Sequence, residues 1–127
     1  MGMTFVEALV LRPGGGIGRR LKFLVDTGAF LSVVPGKLLT ELGIQALTSR
    51  RFHLADGSVI RRRVGIAMFR IGGSVGSSEV VFGRSSDEAL LGALTLESLA
   101  LEVDPRSRRL KRAKMYMMSA ARVPVAA

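Results

Sequence analysis

Short apolar runs broken every few residues by glycine, proline or charge dominate the chain, a rhythm that favours strands over long helices. Phe5 to Leu11 is one apolar run, and Pro13-Gly14-Gly15-Gly16 ends it. Leu21, Phe23 and Val25 then follow at alternate positions, predicting a hairpin with a glycine-rich turn. Ser32-Val33-Val34 is β-like and stops at Pro35. From Pro35 to Leu42 a short helix is expected, with Leu38, Leu39 and Leu42 on one face and Gly43 closing it. Arg51 to Ala55 and Ser58 to Val64 are extended stretches joined by Asp56-Gly57, a strong hairpin signal. Ile66 to Ile71 and Glu79 to Phe82 are further strands, and Ala89-Leu90-Leu91 is a buried run ending at Gly92. Thr95 suits the N-cap of a helix reaching Leu101. Leu101-Glu102-Val103 and Leu110 to Met117 then make a last hairpin. The expectation is a mainly-β, barrel-like domain with one or two short helices over residues 1–118, followed by a frayed tail over 119–127.

Composition narrows the chemistry. The 127 residues suit one domain with a core that needs no staples. Without cysteine, disulfides, thiolate zinc sites and thiol nucleophiles are excluded, and one histidine, His53, excludes any site needing two. His53 is expected on a solvent-facing strand position. No metal site and no cofactor are expected. The glycines at 14 to 16 lack the order of a phosphate-binding loop, and strand rather than helix follows them. No apolar run approaches the ~18 residues of a membrane span, and a secretory leader pattern is absent, so no membrane partner is expected and the expected location is the cytoplasm.

Nineteen Lys and Arg against ten acids give a net charge of +9, which favours anionic partners in general. The cations cluster at Arg61-Arg62-Arg63 and from Arg106 to Lys114; a solvated surface explains both. With few aromatics and no Trp to stack on bases, nucleic acid is not the expected partner. Period two along a strand sends Arg61 and Arg63 to one face and Arg62 to the other. Met115, Met117 and Met118 suit packing or an interface.

Candidate chemistry centres on Leu24-Val25-Asp26-Thr27-Gly28-Ala29. An acid at the end of an apolar strand has its carboxylate held on a packed base. Gly28 permits a sharp turn that brings backbone N–H groups toward that carboxylate. The three residues alone are equally explained by a structural Asx turn. Downstream lie the hairpin around Leu54-Ala55-Asp56-Gly57-Ser58 and then Leu90-Leu91-Gly92, followed by Leu96-Glu97. In this order the chain resembles the retropepsin-like aspartic proteases, over about Phe5 to Leu110. The resemblance implies an all-β, closed acid protease barrel with one lobe per chain. It implies that Asp26 is catalytic and that Thr27, Gly28 and Ala29 support the active-site loop. Ala55, Asp56, Gly57 and Ser58 would form a flap over an extended peptide, and Leu90, Leu91 and Gly92 would pack under the catalytic loop. Ala93 departs from the Arg or similar polar residue that retroviral members often carry after the Leu/Ile-Gly element.

Two carboxylates sharing one proton do the work in this chemistry. The chain has no second Asp-Thr-Gly or Asp-Ser-Gly, so the resemblance implies a homodimer that joins two copies of Asp26 and hydrolyses peptide bonds by general acid–base activation of water. Two alternatives stay open on the sequence: a non-catalytic dimerisation or peptide-binding module of the same fold, and a basic nucleic-acid-binding β domain.

Overall fold

In the computed structural model, which describes residues 3–117, β1 (Phe5–Leu11) and β2 (Arg19–Val25) form the first hairpin. Its turn uses Gly14, Gly15 and Gly16, all with φ between +93° and +108°, a region that disfavours side chains. After β2 the chain makes the Asp26–Leu31 loop and enters β3 (Ser32–Pro35), then α1 (Gly36–Glu41). Pro35 ends the strand and stands at the helix N-cap, where its missing N–H costs nothing. β4 (Thr48–His53) runs antiparallel to the first half of β5 (Val59–Ile71), and β5 turns at Gly72-Gly73 into β6 (Ser74–Gly83). Two-residue β7 (Leu90–Leu91), α2 (Ala93–Ser98), β8 (Leu101–Val103) and β9 (Leu110–Arg112) complete the order.

The main sheet runs β1-β2-β7-β3-β6-β5-β4, and β1 also pairs with β5 through Leu9–Arg70 to Leu11–Met68. Six strands therefore close on one another, and among the described residues β4 is the strand of this sheet left as an edge. The fold is all-β, a closed strand ring with two short helices, as the sequence pattern indicated. Inside the ring Phe23 and Phe69 meet edge to face at 6.1 Å, and Val10, Val34, Leu39, Val80, Leu91, Leu96 and Leu99 pack around them. A second, smaller cluster joins Leu31, Val64 and Val81 to Val33, Phe52 and Leu94. Among the described residues no helix is long and apolar enough to cross a membrane.

Several boundaries differ from the sequence expectation. The expected strands Ser58 to Val64 and Ile66 to Ile71 are joined in one 13-residue strand, Val59–Ile71, that runs through Gly65. Gly65 is there because Gln45 O lies 2.8 Å from where a Cβ would stand, so the strand is continuous and tightly covered. β6 begins at Ser74, five residues earlier than expected, because its polar first half pairs with β5. Thr95 does not cap α2. Gly92 holds the N-cap position, and Thr95 is fully buried inside the helix. The last strand ends at Arg112, short of Met117. Met118 and the tail 119–127 lie outside the described residues.

Candidate active site

Asp26 stands immediately after β2, and its position is fixed from three directions. Its N–H donates to Leu91 O at 3.0 Å, its carbonyl accepts the Ala29 N–H at 3.1 Å, and its Oδ1 accepts the Gly28 N–H at 3.0 Å. No other hydrogen bond from the described residues reaches the carboxylate. Thr27 and Gly28 beside it are exposed.

Beneath this loop lies the Leu90-Leu91-Gly92 segment. β7 is inserted between β2, to which it is parallel, and β3, to which it is antiparallel. Leu91 is fully buried. The Ala93 N–H donates to Ala29 O at 2.8 Å and the Leu94 N–H to Phe30 O at 3.0 Å, so the start of α2 is tied to the loop along its length. Gly92 is in extended conformation and its requirement is purely steric. A Cβ there would stand 2.6 Å from Leu31 O and 2.9 Å from Ala29 O.

A buried hydroxyl chain anchors the same floor. Thr95 Oγ1 lies 2.5 Å from Ser32 Oγ and 2.8 Å from Ser78 Oγ, and Ser32 Oγ accepts the Gly92 N–H at 2.9 Å. It joins β3, β6 and α2 in one satisfied network. The sequence gives no local sign of it, because the three residues are far apart and each is an ordinary loop or cap former by type.

Gly28 and Ala29 line a cleft of about 620 Å³ that runs to His53 and Leu54 on the β4–β5 hairpin. Its walls are apolar at Phe30, Leu31, Phe52, Ile60 and Leu90. The hairpin tip, Ala55 to Ser58, is exposed, and the whole connection, Leu54 to Ser58, is a five-residue turn rather than a two-residue one. Leu54 N–H donates to Ser58 O and Gly57 N–H to Leu54 O, both at 2.9 Å. Asp56 Oδ1 accepts both the hydroxyl and the N–H of Ser58, at 2.6 and 2.8 Å, and these bonds, the hydroxyl's first, hold its carboxyl below the usual Asp range. Asp56 thus serves the turn. His53 is exposed.

The arginine run divides as the strand pleat requires. Arg62 turns toward the cleft, where Nε and Nη2 grip Asp87 at 2.7 and 3.0 Å; its side chain is only 9% exposed. Asp87 Oδ2 also takes the Arg84 N–H at 2.8 Å. The Arg62 hydrogen bond is the main reason that the Asp87 carboxyl sits below its ordinary range, against a smaller opposing effect of burial. This pair ties the hairpin base to the loop before β7, and spacing alone did not reveal it. Among the described residues no group of three or more His, Asp or Glu is placed to hold a metal ion.

Comparison with known proteins gives a family and a fold. An aspartyl protease family profile matches residues 13–95. The solution structure of simian foamy virus protease superposes with a TM-score of 0.53 at 21% identity, covering 74% of this chain and 92% of that one. A retropepsin-like aspartic protease from Rickettsia conorii aligns with a TM-score of 0.45 at 21% identity, over 81% of this chain and 85% of that one. No curated protein sequence matches the chain.

Proposed function

The chain belongs to the aspartyl protease family, with a retropepsin-like fold, and on that premise we propose that it is a homodimeric endopeptidase in which Asp26 of each chain supplies half of the catalytic pair. The observation that carries the proposal is the state of Asp26. It is the acid of the chain's single Asp-Thr-Gly, held on a buried floor, with exposed neighbours and, among the described residues, no second carboxylate hydrogen-bonded to it. A twofold axis beside Thr27 would bring the second Asp26 to it.

Two carboxylates about 3 Å apart share one proton. The ionised Asp26 takes a proton from a water held between the pair, and the water oxygen bonds to the scissile carbonyl carbon. The protonated partner Asp26 donates to the carbonyl oxygen. As the tetrahedral diol collapses, the C–N bond breaks, the carboxyl-borne proton passes to the leaving nitrogen, and one diol hydroxyl gives its proton to the other carboxylate as it becomes the product carbonyl, which restores the shared-proton state. No covalent intermediate is required. In this reading Thr27 braces the two loops against each other and Gly28 and Ala29 meet the substrate backbone. The tip Ala55, Asp56, Gly57 and Ser58 acts as a flap, under which an extended peptide lies as an added strand. Leu90, Leu91 and Gly92 are the floor that keeps both carboxylates in register.

Exposed apolar side chains support the dimer. Phe5 is 47% and Phe30 64% exposed, and Met115, Tyr116 and Met117 project beyond the last strand. The test is cleavage of a diverse peptide pool between pH ~3 and ~7, the range in which a coupled Asp pair titrates. Wild type, Asp26→Ala and wild type with a hydroxyl-bearing transition-state mimic are compared. Cleavage lost in the variant and blocked by the mimic is expected. A folded wild-type dimer that cuts nothing, or an Asp26→Ala chain that still cuts, contradicts the proposal.

A further inference from the structure

While Arg62 turns into the catalytic-side cleft, Arg61 and Arg63 project from the opposite face of β5. They enter a second cavity, of about 570 Å³, between α1, the base of the β4–β5 ribbon and the end of β6. Lys37 of α1 and Arg84, just after β6, line it with them, as does Arg62, whose guanidinium Asp87 already holds. The Arg63 guanidinium is set 4.9 Å from the Phe82 ring centroid, so it is positioned by a ring that is itself buried. Gly36 and Gly83 are also among the lining residues. A Cβ on Gly83 would stand 2.8 Å from Val33 Cγ1, which keeps that part of the wall bare backbone.

Charge in this cavity is one-sided. Glu41 is its single lining carboxylate, and Arg19 holds it at 2.9 Å. No carboxylate among the described residues pairs with Lys37, Arg61, Arg63 or Arg84. Four cations from three separate elements repel one another across a concave surface, and folding brings them together at a cost that a bound anion offsets. Planar guanidiniums match tetrahedral oxyanions through paired N–H donors. The cavity is a pocket rather than a stripe, and its one aromatic, Phe82, is buried with a cation over its ring, so no base-stacking surface is offered.

We propose that this cavity binds a multivalent phosphate-type oxyanion of the pyrophosphate or polyphosphate class, which clamps the β4–β5 hairpin base against α1 and the loop after β6. The clamp reaches the catalytic side through one residue pair. Arg84 lines the anion cavity while its N–H donates to the Asp87 carboxylate that Arg62 grips. The binding claim stands by itself; any effect on turnover rests on the peptidase reading.

The experiment is calorimetric titration of the full chain with sodium pyrophosphate at ionic strength ~0.1 M, where bulk charge is screened beyond about 10 Å. Wild type is compared with Arg61→Gln/Arg63→Gln, with Lys37→Gln as a milder second variant, and with Arg70→Gln as a control on the far end of β5. One saturable site per chain is expected. It should weaken about tenfold or more in the double variant and several-fold in Lys37→Gln, as losing charge-assisted bonds requires. Arg70→Gln should leave it unchanged. Hydrogen exchange in residues 48–64 should slow on binding. Non-saturable uptake, equal loss in Arg70→Gln, or binding only of an oligonucleotide that pyrophosphate does not displace would overturn the proposal. A chain that binds pyrophosphate but cuts no peptide would fail the peptidase reading and leave the anion site standing.

Discussion

Replacing Gly92 with alanine tests the floor beneath Asp26 without touching any group that reacts. The new Cβ would face Leu31 O at 2.6 Å, Leu31 C at 2.7 Å and Ala29 O at 2.9 Å. Relaxed non-bonded contacts to carbon lie near 3.5 Å, so each overlap is on the order of 0.5–1 Å. All three atoms are backbone, and no rotamer change relieves them. The Asp26–Leu31 loop must therefore lift from β7, which strains the Ala93-to-Ala29 and Leu94-to-Phe30 hydrogen bonds. Overpacking costs about 1–3 kcal/mol and each of the two weakened hydrogen bonds about 1 kcal/mol, so the expected loss is about 3–5 kcal/mol. Urea unfolding at matched protein concentration measures it, with Gly57→Ala as the comparison. Gly57 has nothing within 4 Å of a Cβ and a φ of +88°. It should lose only about 1 kcal/mol, the cost of the left-handed backbone. Peptide cleavage by Gly92→Ala should fall further than its stability explains, because Asp26 moves with the loop. A Gly92→Ala chain within about 0.5 kcal/mol of wild type would refute the reasoning.

Thr95→Val keeps the volume of a fully buried residue and removes the hydroxyl that joins Ser32 and Ser78. It should cost about 1–3 kcal/mol by the same unfolding assay, whereas Thr95→Ser should recover most of the loss. The Arg62–Asp87 pair makes a pH-dependent contribution. Its Asp carboxyl is held below the ordinary range, so the stabilisation is complete above pH ~4 and is lost as pH falls through the lowered value. Plotted against pH, the stabilities of wild type and Asp87→Asn should differ above pH ~4 and converge below it; parallel curves at all pH values would contradict the assignment.

Much of this organisation was legible along the chain because it is local. The Gly14–Gly16 turn, the proline that ends β3 and starts α1, and the apolar Leu90-Leu91 strand, of which Leu91 is buried and Leu90 half-buried, are each set by neighbours within a few residues. The spacing of Asp26, the Asp56-Gly57 hairpin and Leu90-Leu91-Gly92 pointed to a family that residues 13–95 match. What escaped depends on contacts between distant residues. Gly65 reads as a strand breaker until Gln45 is seen lying against it. Thr95 reads as a cap until Ser32 and Ser78 are seen beside its hydroxyl. β6 begins in a polar segment, Ser74 to Ser78, whose strand character comes from pairing with β5 rather than from its own composition. The closure of the ring through β1 and β5 leaves no mark in either segment. Arg61 and Arg63 could be separated from Arg62 by period, but Lys37 and Arg84 join them only in the fold.

The claim that each site takes one Asp26 from each of two chains is tested most directly by mixing. Wild-type and Asp26→Asn chains, co-refolded in equal amounts at fixed total concentration, should retain about one quarter of the all-wild-type activity, because random pairing leaves that share of dimers with two aspartates. Retention of about one half, the result for chains that each carry a complete site, would contradict the account.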